Sequence, residues 1–259
     1  MPVVGLGTWK LPAGPTTRAA VRSALDAGYR LFDTAKLYAN EEDVGAALRD
    51  SGLDRAEYYV TTKLWNDDHG YEPALRAFER SRRALGLEQV DLYLIHWPVA
   101  GGRLDSWKAL EHLLAEGRCR SIGVSNYTVA HLKELLAVCA VPPAVNQVEF
   151  SPFLYQRELL EFCRSNSIQL EAYSPLTRGQ KFDDPTLAGI ARAHSRSPAQ
   201  VLVRWGLQHE VVEIPKSSRA ERIGENARVF DFSLTGAEMA ALDGLDRSFR
   251  TTWDPTGMP

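Results

Sequence analysis

Side chains that can transfer protons or donate hydrogen bonds stand at the ends of short apolar runs in this 259-residue chain. The endings are Asp33, Lys63, His96, Ser125-Asn126, Gln147, Tyr173 and Lys216. They recur roughly every 20 to 40 residues with amphipathic sequence of helix length between them, which is typical of parallel βα units. If the strands close into a barrel, every ending lies at the same face, where such barrels place their chemistry.

Tyr38, Asp33, Lys63 and His96 form the strongest group, because together they suit protonation of a carbonyl oxygen. Tyr38 would hang from the loop that leaves the second strand, five residues after Asp33. A phenol with a pKa of about 10 is a poor acid at neutral pH unless a cation such as Lys63 lowers that pKa. Asp33 would hold the lysine, and His96 would donate a hydrogen bond to a substrate oxygen. Each residue alone is better explained by a structural role, but four such roles would have to converge on neighbouring strand ends by accident.

Eight βα units are needed to position these side chains. The first strand is predicted at residues 3–6 and the first helix at 16–27, with a threonine as N-cap and Gly28 ending it before a strand at 29–34. The other unit helices are predicted at 41–51, 72–85, 106–115, 129–138, 157–165, 199–208 and 219–229. Two extra helices are predicted at 185–194 and 236–242, the second with Thr235 as cap and Glu238 completing a capping box. The tail from Asp246 to Pro259 has no periodicity, which leaves a mobile flap and a frayed end as the two interpretations.

The composition limits the class of protein and its partners. With 44% hydrophobic residues and no low-complexity linker, the chain is expected to form one domain over residues 1–259. A net charge of −3 with interspersed signs argues against nucleic acid and anionic membrane partners. Three cysteines without C-x-x-C spacing predict reduced thiols and no metal site, and neither a signal peptide nor an apolar run of ~18 residues is present. We expect a cytoplasmic monomer that acts on a small molecule.

Eight segments in order make the chain similar to the aldo-keto reductases. They are Gly5-Leu6-Gly7-Thr8-Trp9, Phe32-Asp33-Thr34-Ala35 with Tyr38 and Asn40-Glu41, Thr62-Lys63-Leu64-Trp65, Asp91-Leu92-Tyr93-Leu94-Ile95-His96-Trp97-Pro98, Gly123-Val124-Ser125-Asn126, Asn146-Gln147-Val148-Glu149, Ala172-Tyr173-Ser174-Pro175-Leu176 and Ile214-Pro215-Lys216-Ser217. The resemblance implies a (β/α)₈ TIM barrel, NADPH/NADP⁺, and reversible reduction of aldehydes or ketones, with Tyr38 as general acid and Asp33, Lys63 and His96 supporting it. Family members that reduce carbon–carbon double bonds of steroids carry Glu where this chain has His96, so carbonyl reduction is expected.

The same resemblance implies the residues that hold the cofactor and the substrate. Gly5-Leu6-Gly7 does not open a Rossmann motif, because Lys10 stands where the third glycine would be. The positions that match cofactor contacts are Gly7, Thr8, Ser125, Asn126, Gln147, Tyr173, Ser174, Leu176, Lys216, Ser217, Arg222, Glu225 and Asn226. Among them Ser125, Asn126 and Gln147 match the nicotinamide carboxamide site, Tyr173 the stacking ring, and Lys216 and Arg222 the 2′-phosphate site that selects NADP. Without the motif, an exposed lysine and an i,i+3 pair of Arg222 with Glu225 would be the simpler interpretation. Trp9, Trp65 and Trp97 match the substrate pocket.

The chain also departs from the family pattern. Family members usually begin with a β-hairpin that covers the bottom of the barrel, whereas this sequence starts at the predicted first strand. We therefore expect either a truncated or alternative-start form, or a barrel whose bottom is covered in another way. After Ala172-Tyr173-Ser174-Pro175-Leu176 the chain continues with Thr177-Arg178-Gly179, where family members often have a glycine directly. The connection at residues 98–104 and the tail are both short, so a wide, shallow opening with broad specificity is expected. An NADPH-binding regulatory subunit with slow turnover is the alternative function, and the intact tetrad of Tyr38, Asp33, Lys63 and His96 argues against it.

Overall fold

A parallel eight-stranded sheet forms the centre of the computed structural model, which describes residues 1–258. The strands are β1 Leu6–Gly7, β2 Leu31–Asp33, β3 Tyr59–Leu64, β4 Val90–Ile95, β5 Cys119–Ser125, β6 Val145–Glu149, β7 Gln169–Tyr173 and β8 Val212–Glu213, and each pairs with the next. The residues just before β1 pair with β8, because Gly5 N donates to Glu213 O at 2.8 Å and Glu213 N donates to Val3 O at 2.9 Å. The predicted (β/α)₈ barrel is confirmed.

Ten α-helices surround the sheet within residues 1–258. They are α1 Pro15–Asp26, α2 Glu41–Arg49, α3 Tyr71–Leu85, α4 Arg103–Ala115, α5 Val129–Leu136, α6 Arg157–Ser165, α7 Pro185–Ala193, α8 Pro198–Gln208, α9 Ala220–Ala227 and α10 Gly236–Asp243. The two extra helices are therefore α7 and α10, and the capping box of Thr235 and Glu238 begins α10 as predicted. Over the same residues, no helix combines the length and apolarity needed to span a bilayer.

The start of the chain differs from the prediction in two places. The first strand is Leu6–Gly7, since only Val4 of the predicted run forms a further bridge, to Glu213. The first helix begins at Pro15, and its N-cap is Gly14 rather than a threonine. Proline is well suited to the first helical position because its missing N–H needs no partner there. The Gly14 N–H donates to Asp43 Oδ2 at 2.6 Å, so a carboxylate of α2 replaces the expected cap.

The barrel interior changes from apolar at the amino ends of the strands to polar at the carboxyl ends. Tyr59, the first residue of β3, packs against two apolar clusters of the interior, Leu31 with Val212 and Ile214, and Leu92 with Leu94 and Val145. No strand precedes Leu6 in the part of the chain that is described, and the Tyr59 ring lies at this end of the barrel. Lys63, Gln147 and Glu171 occupy the interior towards the other end, and each is at most 1% exposed.

The tail after α10 packs on the barrel over its described residues. The N–H groups of Arg247 and Phe249 donate to Phe153 O at 3.2 and 2.9 Å, and Pro255 is buried. His131 Nε2 lies 3.0 Å from Met258 O. The interpretation of the tail as a frayed end is therefore wrong, because backbone and side-chain contacts that leave no periodic pattern hold it in place. Pro259 lies outside the described residues.

Candidate active site

A cavity of about 960 Å³ opens at the carboxyl ends of the strands. This volume is near the upper limit for small-molecule sites, which suits a large cofactor together with a substrate. The sequence-predicted residues that line it are Gly7, Trp9, Asp33, Tyr38, Trp65, His96, Trp97, Ser125, Asn126, Gln147, Tyr173, Ser174, Leu176, Lys216, Ser217, Arg222, Glu225 and Asn226. Two predicted residues do not line it. Lys63 lies beneath Tyr38, and Thr8 is buried behind the cavity.

Lys63 lies in the floor of the site as a fully buried ammonium. Its Nζ donates to Asp33 Oδ1 at 2.7 Å, Asp33 Oδ2 at 2.6 Å and Thr34 O at 2.9 Å, and it lies 3.3 Å from the Tyr38 hydroxyl. A buried charge is tolerated only when it is paired and hydrogen-bonded, and both carboxylate oxygens of Asp33 meet that need. The parallel pairing of β2 with β3 sets Asp33 opposite Thr61, and Lys63 lies two residues further along β3 on the same interior face.

Tyr38 ends a 3₁₀ turn, Lys36–Tyr38, that leaves β2 and brings the phenol over Lys63. Its ring also contacts Trp9, with 4.8 Å between the centroids, and His96 at 5.7 Å. Burial raises the pKa of the Tyr38 phenol well above its ordinary value, and the nearby Asp33 carboxylate adds to the rise. The expectation that Lys63 lowers this pKa in the free protein is wrong, because Asp33 already neutralises the ammonium. Tyr38 therefore holds its proton firmly until negative charge develops on a bound molecule.

His96 is the next polar side chain on the cavity wall, at the end of β4. Burial lowers the pKa of its imidazole well below 6.5, and the charge of Lys63 lowers it further, so the ring is neutral. The Trp65 ring meets it edge to face, with 5.2 Å between the centroids. Its Nδ1 is buried without a hydrogen-bond partner among residues 1–258. A neutral imidazole carries one N–H, which is suited to donation to an oxygen in the cavity.

The three residues predicted to meet the carboxamide form one hydrogen-bond network. Asn126 Nδ2 donates to His96 O at 2.9 Å and to Ser125 Oγ at 3.1 Å, while Ser125 Oγ donates to Gln147 O at 2.8 Å. Gln147 Nε2 donates to Asp33 Oδ2 at 2.8 Å and to Glu171 Oε1 at 3.0 Å. These bonds use every polar hydrogen of the three side chains. What remains for a ligand is a set of acceptors, above all Gln147 Oε1, which has no partner among the described residues.

Tyr173 connects this network to the tail. Its hydroxyl donates to Asn126 Oδ1 at 2.7 Å and lies 3.0 Å from Thr252 Oγ1. Burial raises the pKa of the phenol, so it stays neutral. With the hydroxyl bonded to Asn126, the ring is fixed on the cavity wall, where a flat apolar ring system could stack on it.

Four cations line one side of the cavity, in the loops that follow β7, β8 and β1 and in α9. Lys10, Arg178, Lys216 and Arg222 all line it, and none of them has an ion-pair partner within residues 1–258. The alternative pair of Arg222 with Glu225 does not form. Burial lowers the pKa of Lys216, and repulsion from Lys10 lowers it further. Like charges that converge on a cavity without a counter-ion indicate a site for an anion. Lys10 and Arg178 were not predicted from the sequence.

Aromatic side chains form the opposite end of the cavity. Trp9, Trp65 and Trp97 line it as predicted, and the tail adds Trp253, whose ring centroid lies 5.5 Å from that of Trp97. The tail thus closes one side of an opening that was expected to be wide and shallow. No apolar period in the sequence marks Thr251 to Trp253 as part of the site.

Glu149, at the end of β6, fastens this part of the tail. Its Oε1 accepts from Thr251 N at 2.7 Å and Thr251 Oγ1 at 2.5 Å. Its Oε2 accepts from Thr252 N at 3.2 Å and Thr252 Oγ1 at 2.7 Å. Glu149 is only 3% exposed, so four donors replace the water that a buried carboxylate loses.

Thr8 has a different place from the one predicted for it. It is fully buried, and both its N–H and its hydroxyl donate to Asp33 O, at 3.0 and 2.8 Å. The side chain is therefore used in holding the Asp33 backbone and does not reach the cavity. Across residues 1–258, no three His, Cys, Asp or Glu side chains are grouped to hold a metal ion.

Comparisons with known proteins all identify the same family of reductases. The model of the Aldo/keto reductase family matches residues 3–247. The chain is 50% identical over 258 residues to the 9,11-endoperoxide prostaglandin H2 reductase of Trypanosoma cruzi, covering 98% of this chain and 91% of that protein. It is 49% identical over 255 residues to the glyoxal reductase of Bacillus subtilis, covering 98% and 92%. A Bombyx mori aldo-keto reductase solved in complex with NADP superimposes with a TM-score of 0.91 at 36% identity, covering 96% and 91%.

Proposed function

Because the chain belongs to the aldo/keto reductase family, we propose that it reduces aldehydes and ketones reversibly to alcohols with NADPH as the cofactor. The observation that carries the proposal is the Tyr38 hydroxyl, which lies 3.3 Å from the buried Lys63 ammonium in the floor of a large cavity. The hydroxyl of Tyr38 thus has the Lys63 ammonium on one side and the open cavity on the other. This is the arrangement that a proton donor to a substrate oxygen needs.

When bound, NADPH supplies the hydride that the carbonyl carbon accepts. Tyr38 gives its proton to the carbonyl oxygen as negative charge develops there. The raised pKa of Tyr38 keeps it protonated beforehand, so the acid is always loaded at neutral pH. Lys63 then stabilises the phenolate that remains, and Asp33 keeps Lys63 charged and in place. In the reverse direction, the same phenolate accepts the proton of an alcohol.

His96 has a separate task in this proposal. Since its imidazole is neutral, its single N–H donates to the carbonyl oxygen without competing with Tyr38 as an acid. Two donors that converge on one oxygen stabilise the charge that builds up there in the transition state. The rings of Trp65 and Tyr38 hold the imidazole from two sides, which limits its freedom to turn away.

The cavity fits NADPH at both of its ends. Gln147 Oε1 and the free lone pairs of Ser125 and Asn126 are acceptors, which match the amide hydrogens of a nicotinamide carboxamide. The fixed ring of Tyr173 offers a surface for the nicotinamide. At the far end, Lys216 and Arg222 would bind the 2′-phosphate, and Lys10 and Arg178 add positive charge for the pyrophosphate. Ser217, Glu225 and Asn226 would border the adenosine.

The substrate side of the cavity is aromatic and favours carbonyl compounds with an apolar body. Trp9, Trp65, Trp97 and Trp253 provide that surface. The relatives in Trypanosoma cruzi and Bacillus subtilis are named for reductions of very different compounds, prostaglandin H2 and glyoxal. Broad specificity among aldehydes therefore remains part of the proposal.

The test is a steady-state assay of the purified chain with 4-nitrobenzaldehyde, which follows NADPH oxidation and identifies the alcohol product. The proposal expects one alcohol formed for each NADPH consumed. The alternative of a regulatory NADPH-binding subunit would give tight NADPH binding by fluorescence but only negligible turnover across a panel of aldehydes, ketones and sugars. That outcome would overturn the catalytic proposal while leaving the cofactor site intact.

A further inference from the structure

Glu171 is a fully buried carboxyl group whose role the reaction above does not explain. It lies on β7 inside the barrel, beneath the cavity, and does not line it. Its Oε1 accepts one hydrogen bond, from Gln147 Nε2 at 3.0 Å, and its Oε2 has no partner among residues 1–258. A buried carboxyl group with so few partners lowers stability, so its presence indicates a function.

The contact with Gln147 has a geometric consequence. The same Nε2 that donates to Glu171 also donates to Asp33 Oδ2 at 2.8 Å, so both N–H groups of the amide point into the barrel floor. A flipped amide would place its oxygen against the Asp33 carboxylate, which would lose the bond to Asp33 and add repulsion with that anion. Gln147 Oε1 must therefore lie on the cavity side, and it can only accept.

We propose that Glu171 is a positioning residue of the nicotinamide site: together with Asp33 it fixes the Gln147 amide so that Oε1 faces the carboxamide of the cofactor. The inference rests on the proposed function, because it assigns a residue to that same cofactor site. Asp33 alone would hold one N–H of Gln147 and leave the second free to turn. Glu171 takes the second N–H and removes that freedom.

The charge of Glu171 adds a second consequence. Burial and, to a smaller extent, the Asp33 carboxylate raise the pKa of this carboxyl group to about 8, against the opposing effects of Lys63 and the Gln147 bond. Glu213, Tyr38 and Tyr59 are the other titratable groups within its influence. Glu171 is thus mainly protonated at pH 7, and its Oε1 accepts from Gln147. At higher pH it becomes an anion, and that anion raises the pKa of the Tyr38 phenol.

Glu171→Met tests the orientation of Gln147 because methionine has a similar shape and no acceptor. We expect its Kd for NADPH, measured by fluorescence titration, to rise about 3- to 10-fold, the size of one neutral hydrogen bond. The same substitution made in a Gln147→Met background should have no further effect, because Glu171 acts through Gln147. Glu213→Gln is the matched control, since Glu213 is also buried, lies against Gly206 of α8 and makes no bond to Gln147. Its Kd should equal that of the wild type.

Glu171→Gln keeps the shape and the acceptor and removes only the charge, so it tests the second consequence even if the methionine variant does not fold. Its Kd for NADPH should stay within about twofold of the wild type. Oxidation of 4-nitrobenzyl alcohol with NADP⁺ should be about threefold or more faster than wild type near pH 9, because the Tyr38 phenolate forms more readily, and equal to it near pH 6.5. A purely structural role would change the melting temperature without this pH-dependent ratio.

Three results separate the possible failures. An unchanged Kd in Glu171→Met, or an effect that adds fully to that of Gln147→Met, would overturn the orientation of Gln147 by Glu171. Equal rates of Glu171→Gln and wild type near pH 9 would overturn the electrostatic effect of Glu171 on Tyr38. A wild-type chain that neither binds NADPH nor reduces 4-nitrobenzaldehyde would overturn the proposed function itself.

Discussion

Replacing Glu149 by glutamine should loosen the tail and widen the substrate site. In the wild type its two carboxylate oxygens accept four hydrogen bonds from Thr251 and Thr252 at 2.5 to 3.2 Å. Glutamine keeps one acceptor oxygen, so one pair of donors loses its partner and faces an NH₂ group. The variant has nearly the same size, which restricts the change to charge and hydrogen bonding.

The size of the effect follows from these contacts. Hydrogen bonds to a charged group contribute about 1.5–3 kcal/mol each, so the loss of two amounts to about 3–6 kcal/mol at the point of attachment. The tail keeps its upstream bonds to Phe153, so the part that carries Trp253 can leave the cavity while the barrel stays folded. An apolar substrate then loses one wall, which costs roughly 1–3 kcal/mol and corresponds to a KM about 5- to 150-fold higher.

The turnover number should change much less than KM, because Tyr38, Lys63 and His96 do not contact the tail. Steady-state kinetics with 4-nitrobenzaldehyde and with propanal would show this, since the small aldehyde has less contact with the aromatic wall and should lose less. Asp254→Asn is the control, because Asp254 caps a turn within the tail through Thr256 and makes no bond to the barrel. A Glu149→Gln variant with a wild-type KM for 4-nitrobenzaldehyde would refute the reasoning.

Three other perturbations follow from the site and the core. Lys63→Met should lower kcat by about 10²-fold or more, because the Tyr38 phenolate would lose its cation, and a kcat near that of the wild type in pre-steady-state assays would contradict this. The wild type should prefer NADPH over NADH by about 10²-fold, and Lys216→Ala and Arg222→Ala should each erase much of this preference while leaving the Kd of NADH unchanged. Equal wild-type Kd values for the two cofactors by fluorescence titration would contradict the assignment of Lys216 and Arg222 to the 2′-phosphate. Burial raises the pKa of Glu213, so the native state keeps a proton that the unfolded state loses above about pH 4.5, and stability falls as pH rises. Glu213→Gln should therefore raise the melting temperature more at pH 8 than at pH 4.5, which calorimetry would check, and an equal change at both pH values would argue against a buried neutral Glu213.

The strands, the helices and the catalytic group follow a pattern that can be recognised in the sequence. Apolar runs of strand length alternate with amphipathic segments, and each of the polar side chains ends a run, so Asp33, Lys63 and His96 fall at one face of the barrel. The helix α1 shows the limit of local signals, because its cap comes from Asp43 on another helix. Sequence-local rules cannot identify such a partner.

The tail and the deeper polar network could not be predicted for a related reason. Thr251 and Thr252 bind Glu149, which lies about 100 residues earlier in the chain. Contacts between residues so far apart leave no periodic pattern in the sequence. Glu171 stands between Leu170 and Ala172 without any local sign of a function, and only the folded barrel shows that it shares the Gln147 amide with Asp33. The expectation that the pKa of Tyr38 is lowered was wrong. The Asp33 carboxylate cancels the positive charge of Lys63, and the distances that decide this are not contained in the sequence.

The most direct test of the account is the turnover of Tyr38→Phe with 4-nitrobenzaldehyde and saturating NADPH, measured together with the Kd of NADPH. Phenylalanine keeps the ring that contacts Trp9 and His96 and removes only the proton donor. The account predicts a Kd within about threefold of the wild type and a kcat lower by about 10²-fold or more, the range for losing a general acid. A variant that keeps more than about a tenth of the wild-type kcat, with the chemical step limiting, would show that Tyr38 is not the proton donor.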